Sequence, residues 1–179
     1  EGDSAKSMAI AGLSIVGRDK YGVFPLKGKI LNVRDVKNMK KLLENDEINN
    51  IKKILGLKTG KEYKDTRELR YGHIKILCDQ DEDGSHIKGL LFNLFQTLWP
   101  SLFSQPRFML SMLTPVIKAR KGNLVKQFYS TKDYDIWCSN NDGKGWTIKY
   151  YKGLGTSTPK EAKEYFKDLK DNFKNEENN

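Results

Sequence analysis

Long apolar runs and cysteines are both scarce in this sequence of 179 residues. No apolar stretch approaches the roughly 18 residues of a membrane span, and residues 1–20 lack the layout of a secretory signal, so we expect no membrane association. The two cysteines, Cys78 and Cys138, are too few for the disulfide framework of a small secreted domain, which favours a reducing compartment. These absences indicate a globular protein that depends on its core.

An initiating methionine is also absent, because the sequence begins at Glu1, and we therefore expect a piece of a longer chain. Hydrophobic residues make up 37% and aromatic residues 11%, which is enough for the core of one domain. We assign residues 1–174 to that domain and residues 175–179 to a polar tail. The formal net charge of +9 indicates a basic surface, suited either to plain solvation or to contact with a polyanion.

The spacing of apolar residues predicts alternating helices and strands. The predicted helices cover residues 5–16, with an end at Gly17, two segments between 35 and 56, with a break near Asn45 and Asp46, and residues 87–99, 131–137 and 160–173. Extended segments are predicted for residues 73–78, 108–120, 124–129 and 148–151. The strand at 73–78 and the helix after it form the first half of a βαβ unit. This pattern predicts an α/β fold with an open, mainly parallel sheet flanked by helices, whose first strand precedes Glu1 and is not included.

An acidic turn follows the strand at 73–78. Its four carboxylates, within five residues, belong to Asp79, Asp81, Glu82 and Asp83. Like charges this close repel one another unless a cation lies between them, so the turn predicts a divalent metal site. In an extended backbone the three aspartates lie on one side, and Glu82 points to solvent.

Three other interpretations of this turn remain open. A calcium loop of the EF-hand type would take its first six positions from Asp79 to Gly84, but its twelfth position is Leu90 instead of glutamate. A zinc site would need ligands that lack paired spacing: His73, Cys78, His86 and Cys138. The third interpretation is a purely structural acidic turn.

Two loops combine glycine with basic side chains. Residues 18–34 carry five lysines and arginines and the amide donor Asn32, which suits either phosphate contact or a solvated loop. The later loop contains Lys152, Gly153 and Gly155 and can approach a partner closely. It lacks the full glycine spacing and the lysine-serine ending of a phosphate-binding loop, so by itself it is weak evidence.

Four segments follow one another along the chain: Glu1–Ala5, Pro25–Arg34, Asp79–Gly89 and Tyr151–Thr156. In this order they resemble the TOPRIM domain of type II DNA topoisomerases. The endings Ser85–Gly89 and Gly155–Thr158 resemble the eukaryotic enzyme more than bacterial gyrase. Two positions depart from the family pattern. Lys27 stands where arginine is usual and keeps the charge without the bidentate fork, and Cys78 stands where threonine is usual.

The resemblance implies a set of site residues. Glu1 and Asp79 would hold a metal ion at the scissile phosphate, Asp79 and Asp81 a second one, with Asp83 as an outer or alternate ligand. Glu1, Asp79 and Asp81 would thus be the catalytic residues, with Mg²⁺ as the metal and Mn²⁺ or Ca²⁺ able to substitute. The implied DNA contacts are Lys27, Lys29, Asn32, His86, Lys88 and Lys152.

The resemblance also implies partners. The nucleophilic tyrosine would come from a winged-helix domain, ATP would bind only in a separate ATPase domain, and the full enzyme would be a nuclear homodimer that acts on double-stranded DNA. The chain alone is then expected to be inactive. A TOPRIM nuclease or primase-type domain, or an EF-hand-like calcium-binding module, is the alternative.

Overall fold

The computed structural model of the chain describes residues 2–36, 39–141 and 144–167. Glu1, the end of the predicted helix at 160–173, the tail at 175–179 and part of the turn after residue 140 lie outside the described residues. The helices are α1 (Gly2–Val16), α2 (Met39–Leu43), α3 (Asp46–Leu55), α4 (Glu82–Leu98), α5 (Pro100–Phe103), α6 (Thr131–Ser139) and α7 (residues 159–167). The strands are β1 (Ile74–Ile76), β2 (Met109–Ser111), β3 (Ile117–Lys121), β4 (Leu124–Phe128) and β5 (Thr147–Tyr150).

The described residues form two compact units. The first contains residues 2–3, 24–36, 39–78 and 82–112, and the second contains residues 4–23, 79–81, 113–141 and 144–167. No helix in the described part of the chain has both the length and the apolar composition needed to cross a bilayer.

A parallel pair of strands lies in the first unit. β1 pairs with β2, with Ile74 opposite Met109 and Ile76 opposite Ser111, and α4 and α5 form the connection. Parallel neighbours need such a crossover, so the predicted βαβ unit and the α/β class are confirmed. The extended segment predicted at 108–120 divides around the buried Pro115 into β2 and β3, which belong to different sheets.

α4 lies at the centre of the first unit's core. Its buried residues recur at the three-and-four spacing of a helix face: Gly84, Ile87, Leu90, Leu91, Leu94 and Phe95. Trp99 follows and is fully buried, and its indole N–H donates to the Lys58 carbonyl at 2.9 Å. A buried indole needs such a partner, so this bond also fixes the start of the loop after α3.

The break predicted between two helices near Asn45 is confirmed. The Asn45 side chain accepts a hydrogen bond from the Ile48 N–H at 3.0 Å and caps α3. α3 ends at Gly56, whose φ of +77° is left-handed and is accessible to glycine without strain.

The second unit contains a separate antiparallel sheet in the order β4-β3-β5. Ile117 on the central strand lies opposite Phe128 on one side and Tyr150 on the other. One face of this sheet packs against α6, where the rings of Phe128 and Trp137 lie 5.3 Å apart. The sequence predicted these strands but not that they form a sheet of their own.

α1 packs closely on α7 within the second unit. A Cβ at Gly12 would lie 2.3 Å from the Phe166 ring, so no larger residue fits there without a shift. The predicted end of α1 at Gly17 is confirmed, because the Gly17 N–H donates to the Leu13 carbonyl at 2.8 Å. The helix begins earlier than predicted, at Gly2, and Asp3 lies in its first turn.

Candidate functional site

The acidic turn connects β1 to α4. α4 begins at Glu82, and both Glu82 and Asp83 lie in its first turn. The positive end of the helix dipole stabilises carboxylates at this position. The predicted alternation of three aspartates along an extended backbone is therefore wrong for Asp83, which lies on a helix. Asp79 is half-buried, whereas Asp81 and Glu82 are exposed, as expected for Glu82.

Asp79 is held by the glycine loop that follows β5. The Leu154 N–H donates to Asp79 Oδ1 at 2.6 Å. A Cβ at Gly153 would lie 2.7 Å from Asp79 Oδ2, so the loop approaches the carboxylate this closely only because residue 153 is glycine. Two segments that the resemblance singled out thus meet within the second unit.

Steric contact also explains the second glycine of this loop, Gly155. A Cβ at Gly155 would lie 2.8 Å from the Ser4 hydroxyl oxygen of α1. Both glycines therefore allow close packing. Neither has a left-handed φ, so backbone conformation is not what requires glycine at these two positions. The loop does not match a phosphate-binding loop, and the sequence signal for its close packing is the Gly-x-Gly spacing itself.

Asp83 pairs with Lys29 in the first unit. The Lys29 Nζ lies 2.7 Å from Asp83 Oδ1, and both side chains are well exposed. The hydrogen bond from Lys29, and then its charge, lower the pKa of the Asp83 carboxyl. A predicted metal ligand and a predicted DNA contact thus neutralise each other, and an exposed pair of this kind contributes little to stability.

The Asn32 side chain is engaged in its own turn. Its Nδ2 donates to Asp35 Oδ2 at 2.6 Å, and its Oδ1 accepts from the Arg34 N–H at 3.3 Å. The amide that was predicted to contact DNA therefore shapes the loop. The other predicted DNA contacts differ in exposure: Lys88 is half-buried, whereas Lys27, His86 and Lys152 are exposed.

The described residues contain no group of three or more His, Cys, Asp or Glu side chains placed to hold a metal ion, and Glu1 lies outside them. The four possible zinc ligands, Cys78 and Cys138 among them, are accordingly not gathered. The EF-hand alternative is wrong, because strand β1 precedes the turn and helix α4 begins at what would be its fourth loop position.

A half-buried carboxylate on α7, that of Glu161, was not predicted from the sequence. It accepts hydrogen bonds from the Tyr151 hydroxyl, from Lys149 Nζ at 3.1 Å and from the Thr158 N–H at 2.8 Å. Its Oε1 also lies 3.8 Å from the Nζ of Lys118, itself 8% exposed. Only the Thr-x-x-Glu spacing of a capping box could have indicated part of this network.

The Glu161 network shifts two pKa values in opposite directions. Burial opposes ionisation of Glu161, but hydrogen bonds from Thr158, Tyr151 and Lys149 outweigh it and lower the pKa of its carboxyl to about 2. Burial raises the pKa of the Tyr151 phenol, and its bond to Glu161 raises it further. The carboxylate is therefore charged, and the phenol is neutral, at neutral pH.

Comparisons with known proteins cover the whole chain. Residues 1–113 match the family model of the Toprim domain, and residues 112–179 match that of the C-terminal associated domain of TOPRIM. DNA topoisomerase 2 of Pisum sativum is 57% identical over 172 residues, which cover 94% of this chain and 12% of that protein. DNA topoisomerase 2-alpha of Homo sapiens is 56% identical over 174 residues, which cover 95% of this chain and 11% of that protein.

A solved structure gives the same result. The crystal structure of the Plasmodium falciparum topoisomerase II DNA-binding, cleavage and re-ligation domain matches with a TM-score of 0.89 and 54% identity, over 94% of this chain and 23% of that one. The resemblance read from four segments is therefore confirmed, and these matches favour a topoisomerase over a nuclease or primase. The chain spans about a tenth of the length of the two relatives named above.

Proposed function

The chain belongs to the Toprim domain family, and on that premise we propose that it is the divalent-metal-binding part of the DNA cleavage and religation core of a type II DNA topoisomerase. The observation that carries the proposal is the hydrogen bond from the Leu154 N–H to Asp79, because it orients a carboxylate of the acidic turn. Metal ligands are commonly oriented by such second partners.

Asp79 and Asp81 are the proposed metal ligands within the second unit. Carboxylate oxygens suit Mg²⁺, which keeps several waters and takes one or two protein carboxylates, so a pair is a fitting donor set. The Asp79 Oδ1 already accepts the loop amide, so we take Oδ2 as the proposed ligand atom. Glu1 and Asp83 join the set by resemblance, and Asp83 would have to exchange Lys29 for the metal.

The bound cation would neutralise charge on the phosphate as the DNA strand is cleaved and rejoined. The attacking tyrosine is proposed to come from a winged-helix domain. Tyr151 is unsuited to that role, because its phenol is buried, has a raised pKa and donates to Glu161. ATP is proposed to bind in a separate domain, and the whole protein to act as a nuclear homodimer.

Metal titration of the 179-residue chain tests the metal site. Mn²⁺ binding, followed by electron paramagnetic resonance of the free ion, is expected to weaken at least tenfold in Asp79→Asn and in Asp81→Asn. Asp19→Asn is the matched control, because Asp19 is an exposed aspartate of the same unit. Equal Mn²⁺ affinity in all four proteins would refute the assignment of these ligands.

Duplex binding tests the DNA face. Lys27→Ala and Lys29→Ala are each expected to lower the affinity for a short DNA duplex and to reduce the salt slope by about 1, the loss of one phosphate contact. Lys53→Ala is the control, because Lys53 is an exposed lysine on α3 of the same unit. Supercoil relaxation or ATP hydrolysis by the chain alone would contradict the proposal that the attacking tyrosine and the ATP site lie in other domains.

A further inference from the structure

We propose that Glu161 is a positioning residue for Asp79, acting through the loop from Tyr151 to Thr158. The inference rests on the proposed function, since it assigns Asp79 a metal to hold. Glu161 does not touch Asp79 in this arrangement. It fixes both ends of the loop whose middle carries the amide that Asp79 accepts.

The two ends of the loop converge on the Glu161 carboxylate. At the first end, the Tyr151 hydroxyl donates to Glu161 Oε1. At the other end, the Thr158 N–H and hydroxyl donate to Oε2 at 2.8 and 3.1 Å. The Glu161 N–H lies 3.3 Å from the Thr158 hydroxyl in return, which completes a capping box at the start of α7.

Between these ends, the loop is held by its own hydrogen bonds. The Gly153 carbonyl accepts from the Thr156 N–H at 3.2 Å and from the Thr156 hydroxyl at 2.7 Å. The Ser157 N–H donates to the Leu154 carbonyl at 3.1 Å. These bonds tie the middle of the loop to its own backbone, so a displacement of the loop ends is expected to move the Leu154 N–H as well.

The surroundings of Glu161 keep its carboxylate charged and in place. Its side chain is 17% exposed, and Lys149 and Lys118 lie beside it. The Lys118 ammonium also lies 5.5 Å from the centre of the Tyr151 ring, so it contacts the same phenol that donates to Glu161. The two carboxylate oxygens make six contacts with Lys149, Lys118, the Tyr151 hydroxyl and Thr158. These contacts restrict the position of the Glu161 side chain, as a positioning role requires.

The experiment measures metal affinity and the loop amide separately. Glu161→Gln in the 179-residue chain is expected to raise the Kd for Mn²⁺ about tenfold. It is also expected to shift the Leu154 amide signal in ¹⁵N-labelled protein without metal. Tyr151→Phe, which removes one donor to the carboxylate and no charge, is expected to change both readouts in the same direction by less.

Glu164→Gln is the matched control, because it removes the same charge from an exposed site on the same helix. It is expected to change neither readout. Wild-type Mn²⁺ affinity in Glu161→Gln, or a weaker affinity with an unchanged Leu154 signal, overturns the proposal. If Glu161→Gln does not fold, Tyr151→Phe decides: a raised Kd with a shifted Leu154 signal supports the proposal, and wild-type values overturn it.

Asp79→Asn separates this inference from the proposed function. Loss of Mn²⁺ binding in Asp79→Asn together with wild-type binding in Glu161→Gln and Tyr151→Phe rejects only the positioning role. Wild-type Mn²⁺ binding in Asp79→Asn rejects the metal site itself, and the positioning role with it.

Discussion

Replacement of Glu161 by glutamine is expected to destabilise the protein at neutral pH and to do so less in acid. Burial disfavours the Glu161 carboxylate, but the hydrogen bonds from Thr158, Tyr151 and Lys149 outweigh it and lower the pKa to about 2. Glutamine keeps the shape and one acceptor oxygen, and it loses the charge that Lys149 and Lys118 face.

The size of the effect follows from the pKa difference. The Glu161 pKa is about 2 in the folded chain, against an ordinary value of 4.5. At 1.36 kcal/mol per pKa unit this corresponds to about 3 kcal/mol in favour of the folded state. Because the folded pKa is the lower one, this stabilisation is present above about pH 4.5 and is lost as the pH falls towards about 2.

Urea unfolding at a series of pH values measures this effect. The free energy of unfolding of wild type is expected to exceed that of Glu161→Gln by about 3 kcal/mol near pH 7 and by progressively less below pH 4.5. Glu164→Gln, at an exposed site, is the control and is expected to stay close to wild type. A difference between wild type and Glu161→Gln that is absent, or that does not change with pH, would refute the reasoning.

Three further predictions concern packing and capping. Gly12→Ala is expected to cost about 1–3 kcal/mol, because its Cβ would lie 2.3 Å from the Phe166 ring; Phe166→Leu in the same chain should recover part of this loss in thermal unfolding. Gly153→Ala is expected to weaken Mn²⁺ binding in titrations, because its Cβ would lie 2.7 Å from Asp79 Oδ2. Asn45→Ala is expected to cost about 1 kcal/mol in urea unfolding, whereas Asn45→Asp should cost less because it retains the cap.

Local features were predictable from the sequence where local chemistry decides them. Gly17 and Gly56 end helices, Asn45 begins one, and the apolar spacing of α4 shows which of its residues are buried. The start of α4 at Glu82 was not predicted, because charge repulsion suggested an extended turn. In the structure the helix dipole and the Lys29 ammonium accommodate Asp83 instead.

The contacts around Asp79 were not predictable from the sequence alone. Nothing local relates Asp79 to Leu154, which lies 75 residues later, or shows that Glu161 is half-buried beside Lys118. The antiparallel sheet was missed for the same reason, since β5 pairs with β3 across α6 and the chain between them. Such pairings depend on the whole fold. The motif resemblance identified the segments of the site but not the contacts between them.

The bond between Leu154 and Asp79 also affects where the chain can be divided. The two family matches meet at residues 112–113, which suggests two modules that could be exchanged or expressed apart. Asp79 lies in the first match and Leu154 in the second, yet both belong to one compact unit. A chimera joined at that boundary would pair an acidic turn from one parent with a glycine loop from the other, so the two segments have to be transplanted together.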